Sequence, residues 1–295
     1  MSAREGTVAF GVGTGRCGTT LLSRLAALEP EVAASHERLR RAATFHMFCK
    51  WHGIPIDPEG FLRDRDAAVR EDLAAHRVSF EVSALLSHSI EELHERFDAR
   101  FVMLVRRPDH TVASFAARGW FLDAIPWSDA TRPPSLPDAM EPRHFFGRNL
   151  PRSPEELARW RALTQIGKLA WFWDARNRAI VEQLARLPAD RVRIQRIEDL
   201  DHASYGELAR FLGWTPTLDR ATFDGLVEAR IHTGPHPPRD PATWGAREVE
   251  EHEHEVGRLA RALGYETSLG ALAEGAPVIR GDVLDPATVL ARTLG

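Results

Sequence analysis

Lysine is nearly missing from this chain of 295 residues: Lys50 and Lys168 are the only two among 38 basic residues. Any recognition of anions must therefore rest on guanidinium groups, which present a planar, permanently charged fork of donors. Cysteine is as scarce. Cys17 and Cys49 allow no disulfide framework, and no CxxC pair is present to hold a metal. No apolar run approaches the length of a membrane span, and MSAREGTVAFGVG leads straight into a strand with no room for a signal peptide. A soluble, reducing, cytoplasmic setting is the expectation. A net charge of −4 argues against broad nucleic-acid binding. The 43% hydrophobic and 27% charged residues suit a globular protein with a sizeable core.

Strand and helix signals alternate along the chain. Residues 7–13, 78–83, 100–106 and 191–196 read as strands. Residues 18–29, 89–97, the stretch from Pro108 and 204–213 read as helices. That rhythm predicts an α/β fold, a parallel sheet flanked by helices. Residues 154–187 carry an apolar stripe from Leu157 to Leu187 and read as one long helix or a helix pair, with Ser153 and Glu156 as a capping box. Trp173 belongs to the stripe; Trp171 and Lys168 fall off it, either exposed or lining a cleft. Residues 245–264 form a last helix. Two proline-rich stretches, 119–153 and 231–244, interrupt the pattern, and loops of that length usually carry function. The first is expected to shape a substrate pocket. Residues 1–268 are expected to form one domain. The 269–295 tail is expected to pack on the body or on a second subunit, as in a homodimer.

The chemistry-bearing segment is FGVGTGRCGTTLLSRL, residues 10–25. A strand, a glycine-rich turn and a helix N-terminus make an anion site from inward N–H groups and the helix dipole. Gly13 to Gly18 has the spacing of the ATP-binding GxxxxGK[ST] pattern, but Thr19 stands in the lysine position. No acidic strand end offers a magnesium ligand. A kinase or ATPase is therefore disfavoured. Arg16, Thr19 and Thr20 supply a charge and two hydroxyls that a merely structural turn does not need.

TGRCGTTLL followed by LEPEVAASHE resembles the sulfotransferases that use 3′-phosphoadenosine-5′-phosphosulfate (PAPS), whose loop has the form (K/R)-x-G-T-T/S. FVMLVRRPDHTVASF resembles the same family's strand–RxP–helix segment, and RIEDL followed by ELARFLGW its third segment, with Ile197 where a tyrosine is frequent. The resemblance implies a P-loop NTPase-like sulfotransferase fold and PAPS as the donor, with no metal. It implies that Thr14, Gly15, Arg16, Cys17, Gly18, Thr19 and Thr20 hold the 5′-phosphosulfate, while Arg106 and Ser114 hold the 3′-phosphate. The family's adenosine loop matches only loosely here, through Arg239 and Trp244. Glu198 and Asp199 are expected to order local structure.

In such a transfer Arg16 stands beside the leaving phosphate, and Glu37 or His36 takes the acceptor's proton. Glu37 is the residue the resemblance favours. Glu81 is a third candidate, or else a buried partner for Arg106 or Arg16. Cys17 is expected to fill space beneath the phosphate, although a helix N-terminus tends to lower a thiol's pKa. Arg38, Arg40 and Arg41 follow Glu37 as a solvated charge run or a lure for an anionic acceptor. His252 and His254 are two residues apart on a helix and are expected on a solvated face. The acceptor is expected to be a hydroxyl, or an amine, on a small molecule, glycan or lipid head group. The rival readings are a nucleotide-dependent phosphotransferase and a non-catalytic nucleotide-binding protein of the same fold.

Overall fold

The first strand, β1 (Thr7–Gly13), is apolar without alternation because both of its faces are covered. Val8, Phe10 and Val12 enter one core and Ala9 the other. The fourth, β4 (Arg100–Val105), behaves alike: Phe101, Met103 and Val105 face one way, Val102 and Leu104 the other. Continuous apolar runs are what a sheet buried on both sides requires. In this computed structural model, residues 6–121, 149–229, 237–282 and 285–294 are described. With β2 (Val32–His36), β3 (Val78–Val82) and β5 (Val192–Arg196), the strands form a wholly parallel sheet in the order β2-β3-β1-β4-β5.

Helices fill the connections: α1 (Thr19–Ala26), α2 (Arg40–His52), α3 (Pro58–Ala75), α4 (Ile90–Phe97), α5 (Pro108–Ala116), α6 (Pro154–Ala162), α7 (Gln165–Leu184), α8 (His202–Leu212), α9 (Arg220–Glu228), α10 (Ala246–Ala262), α11 (Leu269–Ala273) and α12 (Pro286–Leu294). Leu22 and Leu25 of α1 share a core with Leu208 of α8 and Phe223 of α9. On the other face, Trp173 and Ile180 of α7, Val112 of α5, Leu259 of α10 and Val289 of α12 form the larger core. The crossover from β1 to β2 therefore runs on one face and that from β3 to β4 on the other. Such a reversal opens a crevice at the carboxyl ends of the strands. Gly13, His36, Val82 and Val105 stand at that edge, tied by the pairs His36↔Val82 and Gly13↔Leu104.

All four expected strands are present, and the expected long helix is a pair, α6 and α7. The break lies at Leu163–Thr164, where Thr164 Oγ1 accepts from Gly167 N and Glu251 accepts from Thr164 N. The capping box at Ser153 is only half made. Ser153 Oγ accepts from Glu156 N, but the Glu156 carboxylate turns to the Trp171 indole N–H. Trp171 is accordingly buried rather than lining an open cleft, and the ammonium of Lys168 lies over the Trp160 ring at 5.3 Å. The tail's α12 seats Val289 in the larger core. Most of the expected 119–153 insertion (122–148), and residues 230–236 of the second proline-rich stretch, lie outside the described residues.

Candidate active site

The loop after β1 turns through an unusual run of left-handed backbone. Gly15 (φ 82°), Arg16 (φ 57°) and Gly18 (φ 97°) all have positive φ. Glycine tolerates this; arginine is strained by it, and such strain concentrates at functional positions. A Cβ on Gly18 would lie 2.4 Å from Ile197 Cδ1, so the loop sits directly on the turn after β5. Among the described residues, no backbone carbonyl accepts from the N–H groups of Arg16, Gly18, Thr19 or Thr20. These donors and the α1 N-terminus face the sheet's carboxyl edge.

Cys17 points the opposite way. Its side chain is fully buried, close enough to Gly13 that a Cβ there would lie 2.6 Å from the sulfur. Burial raises the thiol pKa, outweighing the N–H groups beside it. The thiol is therefore an inert filler, and the lowering expected from a helix N-terminus does not prevail.

Three guanidinium groups gather at the loop. Arg16 Nε donates to Ser114 Oγ at 2.8 Å, and Arg106 Nη1 donates to the Arg16 carbonyl at 3.3 Å. Arg118, exposed in the turn after α5, adds its charge. Partial burial, then the charges of Arg118 and Arg106, lower the Arg16 pKa to about 10. None of the three has a carboxylate within 4 Å among the described residues. Arg106 is held by its backbone, whose carbonyl accepts from the Trp173 indole at 3.2 Å. Its neighbour Arg107 is committed elsewhere, forked onto buried Asp109, with its N–H on Glu198 Oε1. Glu198 also accepts from Tyr265, and Asp199 from Arg196, so this acidic pair orders structure as expected.

On the other flank, His36 Nε2 lies 3.2 Å from Thr19 Oγ1 and 3.4 Å from Thr20 Oγ1. Partial burial lowers the His36 pKa, against the raising charge of Glu37. The ring is thus neutral at neutral pH, the form a proton acceptor needs. Glu37 stands at φ 51° with its N–H on the Val82 carbonyl, and its carboxylate is 3.7 Å from Arg40. Leu39 is also left-handed, at φ 55°.

A buried lattice holds this strained corner. Arg38 forks onto Asp72, Ser79 Oγ donates to Asp72 at 2.6 Å, and Arg65 pairs with Glu81 while donating to the Arg38 carbonyl. Glu81 is consequently a scaffold group. Its partner is Arg65 rather than Arg106 or Arg16, because β3 turns Ser79 and Glu81 toward α3 and away from the loop. Arg38 is likewise no part of a solvated run.

Arg239 and Trp244 do not join the loop. Arg239 pairs with Glu248 and donates to the Thr243 carbonyl. Trp244 is buried against the His252 ring, with centroids 5.2 Å apart. His252 itself is buried, not solvated; only His254 is exposed. The reason is the seat of α10 against α7 and the start of α5, which turns position 252 inward. Arg118 was not singled out from sequence. It lies in the turn after α5, where helical spacing from Ser114 gives no guide.

No family model matches the chain, and no curated protein matches it. Among solved structures, the chain is similar to the sulfotransferase domain from the curacin biosynthetic pathway, at 15% identity and a TM-score of 0.47, over 90% of this chain and 99% of that domain.

Proposed function

We propose that the chain is a sulfotransferase that moves a sulfuryl group from PAPS to a hydroxyl. The observation that carries this reading is the convergence of Arg16 and Arg106, with the charge of Arg118, on a glycine-rich loop where no acid among the described residues neutralises them. Unpaired guanidinium groups kept this close repel one another, so the site fits a ligand of multiple negative charge. Arginine without lysine, and with no magnesium-binding acid among the described residues of the loop, fits a phosphoadenosine ligand better than ATP.

The donor supplies an electrophilic sulfuryl group on a phosphate leaving group. Around it the N–H groups of Arg16, Gly18, Thr19 and Thr20 and the α1 dipole hold the 5′ end. Arg16 faces the phosphate oxygen on which charge grows and acts by charge alone, since its own proton does not leave. Arg106 and Arg118 clamp the 3′-phosphate. His36 takes the acceptor's hydroxyl proton, and the charge of Glu37 favours the imidazolium so formed.

Thermal denaturation with adenosine 3′,5′-bisphosphate, and separately with ATP and magnesium, tests the reading. The bisphosphate should raise the melting temperature and ATP–magnesium should not. A shift with ATP–magnesium alone would overturn it in favour of a phosphotransferase. Transfer of labelled sulfate from PAPS to a panel of alcohols then tests turnover. His36→Ala should abolish transfer while retaining the bisphosphate shift, and should do more damage than Glu37→Gln. The reverse order would make Glu37 the base. Full transfer in both variants would mean that neither residue takes the proton.

A further inference from the structure

Behind the loop lies a fourth guanidinium without a counter-charge among the described residues. Arg176 of α7 is 3% exposed. Its Nη1 donates to Met47 Sδ at 2.8 Å and to the Ala84 carbonyl at 3.0 Å, and its Nε has no partner. The Phe172 ring also lies 5.2 Å from the guanidinium, yet a thioether, one carbonyl and a ring face are weak partners for a cation out of water. A buried charge is retained without a paired anion only at high cost. Burial indeed lowers this guanidinium to about 9. Arg65 is equally buried and takes Glu81; Arg176 has no such acid among the described residues. Glu92 of α4 is committed to Lys50 and His46.

The surroundings suit an anion. His88 is buried, and burial together with the Arg176 charge holds its pKa well below the usual range, so it stays neutral. Its Nε2 lies 2.9 Å from Asn149 Nδ2, and Asn149 Oδ1 has no partner. The Trp51 ring stands 5.2 Å from His88 and carries the Arg152 guanidinium on its face at 4.8 Å. One fixed cation, a second at the rim, an amide, an imidazole and an indole are thus collected with no acid among the described residues that touch them.

The place is as telling as the chemistry. Ala84, whose carbonyl receives Arg176, presents its methyl 3.6 Å from where a Cβ on Gly15 would stand. Ser87, in the same turn, donates to the Gly13 carbonyl at 2.9 Å. The 84–87 turn therefore contacts both the cluster and the loop.

We propose that the Arg176 cluster receives a carboxylate on the acceptor, so that the substrates are hydroxy acids rather than neutral alcohols. One buried guanidinium balances one negative charge, which a carboxylate carries and a phosphate monoester exceeds. A carboxylate displacing the Met47 thioether gains a charge-assisted pair. The identity of the second substrate as a hydroxyl acceptor rests on the sulfotransferase reading; the anion site itself does not.

The test is thermal denaturation of the full chain saturated with adenosine 3′,5′-bisphosphate, so that the loop is filled. Benzoate, 4-hydroxybenzoate and 3-hydroxyoctanoate are compared with their neutral amides at equal ionic strength. The carboxylates should raise the melting temperature and the amides should not. Arg176→Met should erase the difference while the bisphosphate shift survives. Met47→Glu places a carboxylate where the thioether now meets Arg176 and should erase it too, through an internal partner, even if Arg176→Met fails to fold. Equal shifts from acids and amides, or acid shifts that persist in Met47→Glu, would overturn the proposal. So would no acid shift in a protein that responds to the bisphosphate. An acid shift of the expected pattern without any response to the bisphosphate would leave the anion site standing and remove the donor reading.

Discussion

Two groups of arginines flank the carboxyl edge of the sheet and live under opposite rules. Arg38 and Arg65, beneath residues 37–39, are locked to Asp72 and Glu81. Arg16, Arg106 and Arg118, at the loop, have no acid at all among the described residues. The first group spends its charge on the fold, and breaking it exposes an uncompensated buried ion. The second makes few contacts that hold the fold, and its charge is not neutralised among the described residues. The same residue type is thus scaffold on one side and, in the function proposed above, ligand site on the other, and the neighbouring acids decide which.

The sharpest way to break this comparison is Arg65→Met. It strands Glu81 in the interior, and the expected loss is about 3–5 kcal/mol of unfolding free energy by denaturant titration. Arg106→Ala should lose almost none, and equal losses would abolish the distinction. Next is Arg16→Ala. If Arg16 faces the growing charge, turnover should fall by about 100- to 1000-fold, or about 2.7–4 kcal/mol. Bisphosphate affinity should fall much less; equal falls in both would remove the transition-state role.

His252 tests what a buried group without a partner does. Burial depresses its pKa to about 4, against the opposing charge of Asp109. The unfolded chain takes up this proton near the ordinary histidine value of about 6.5 and the folded chain does not. Stability from this source is complete above that value and drains away as pH falls toward 4, by about 3 kcal/mol. Melting temperatures from pH 7 to 4 should show this decline, and His252→Phe should flatten it. The smallest expected effect is Arg106→Ala on bisphosphate binding, a loss of about 1.5–3 kcal/mol by calorimetry. Unchanged affinity would mean the 3′-phosphate is held elsewhere.

The sheet's centre was legible in the sequence because β1 and β4 are long apolar runs buried on both sides. β2 was not. It is a short edge strand, VAASH, whose small, half-exposed residues give no alternation. With β2 went α2 and α3, whose apolar residues form no clean stripe. The loop announced itself through glycine spacing, yet Arg118 and the role of Arg65 did not. A single arginine among dozens gives no local sign of which acid, if any, will face it. The division between Arg106 and Arg107 has the same origin: adjacent and identical in type, they are separated only by Asp109 and Glu198, which claim the second. Placing His252 on a solvated face failed because helical spacing says which residues share a side, not which side a neighbour covers.

The sealed thiol beneath the loop has a use of its own. Cys17 is fully buried against Gly13, at the point where backbone leaves the sheet to form the glycine-rich loop proposed as the anion cradle. A maleimide or disulfide reagent can reach it only while that cradle is transiently open. In a Cys49→Ser background the labelling rate of Cys17 becomes a clock for loop opening, and a ligand that closes the cradle slows the clock in proportion to its occupancy.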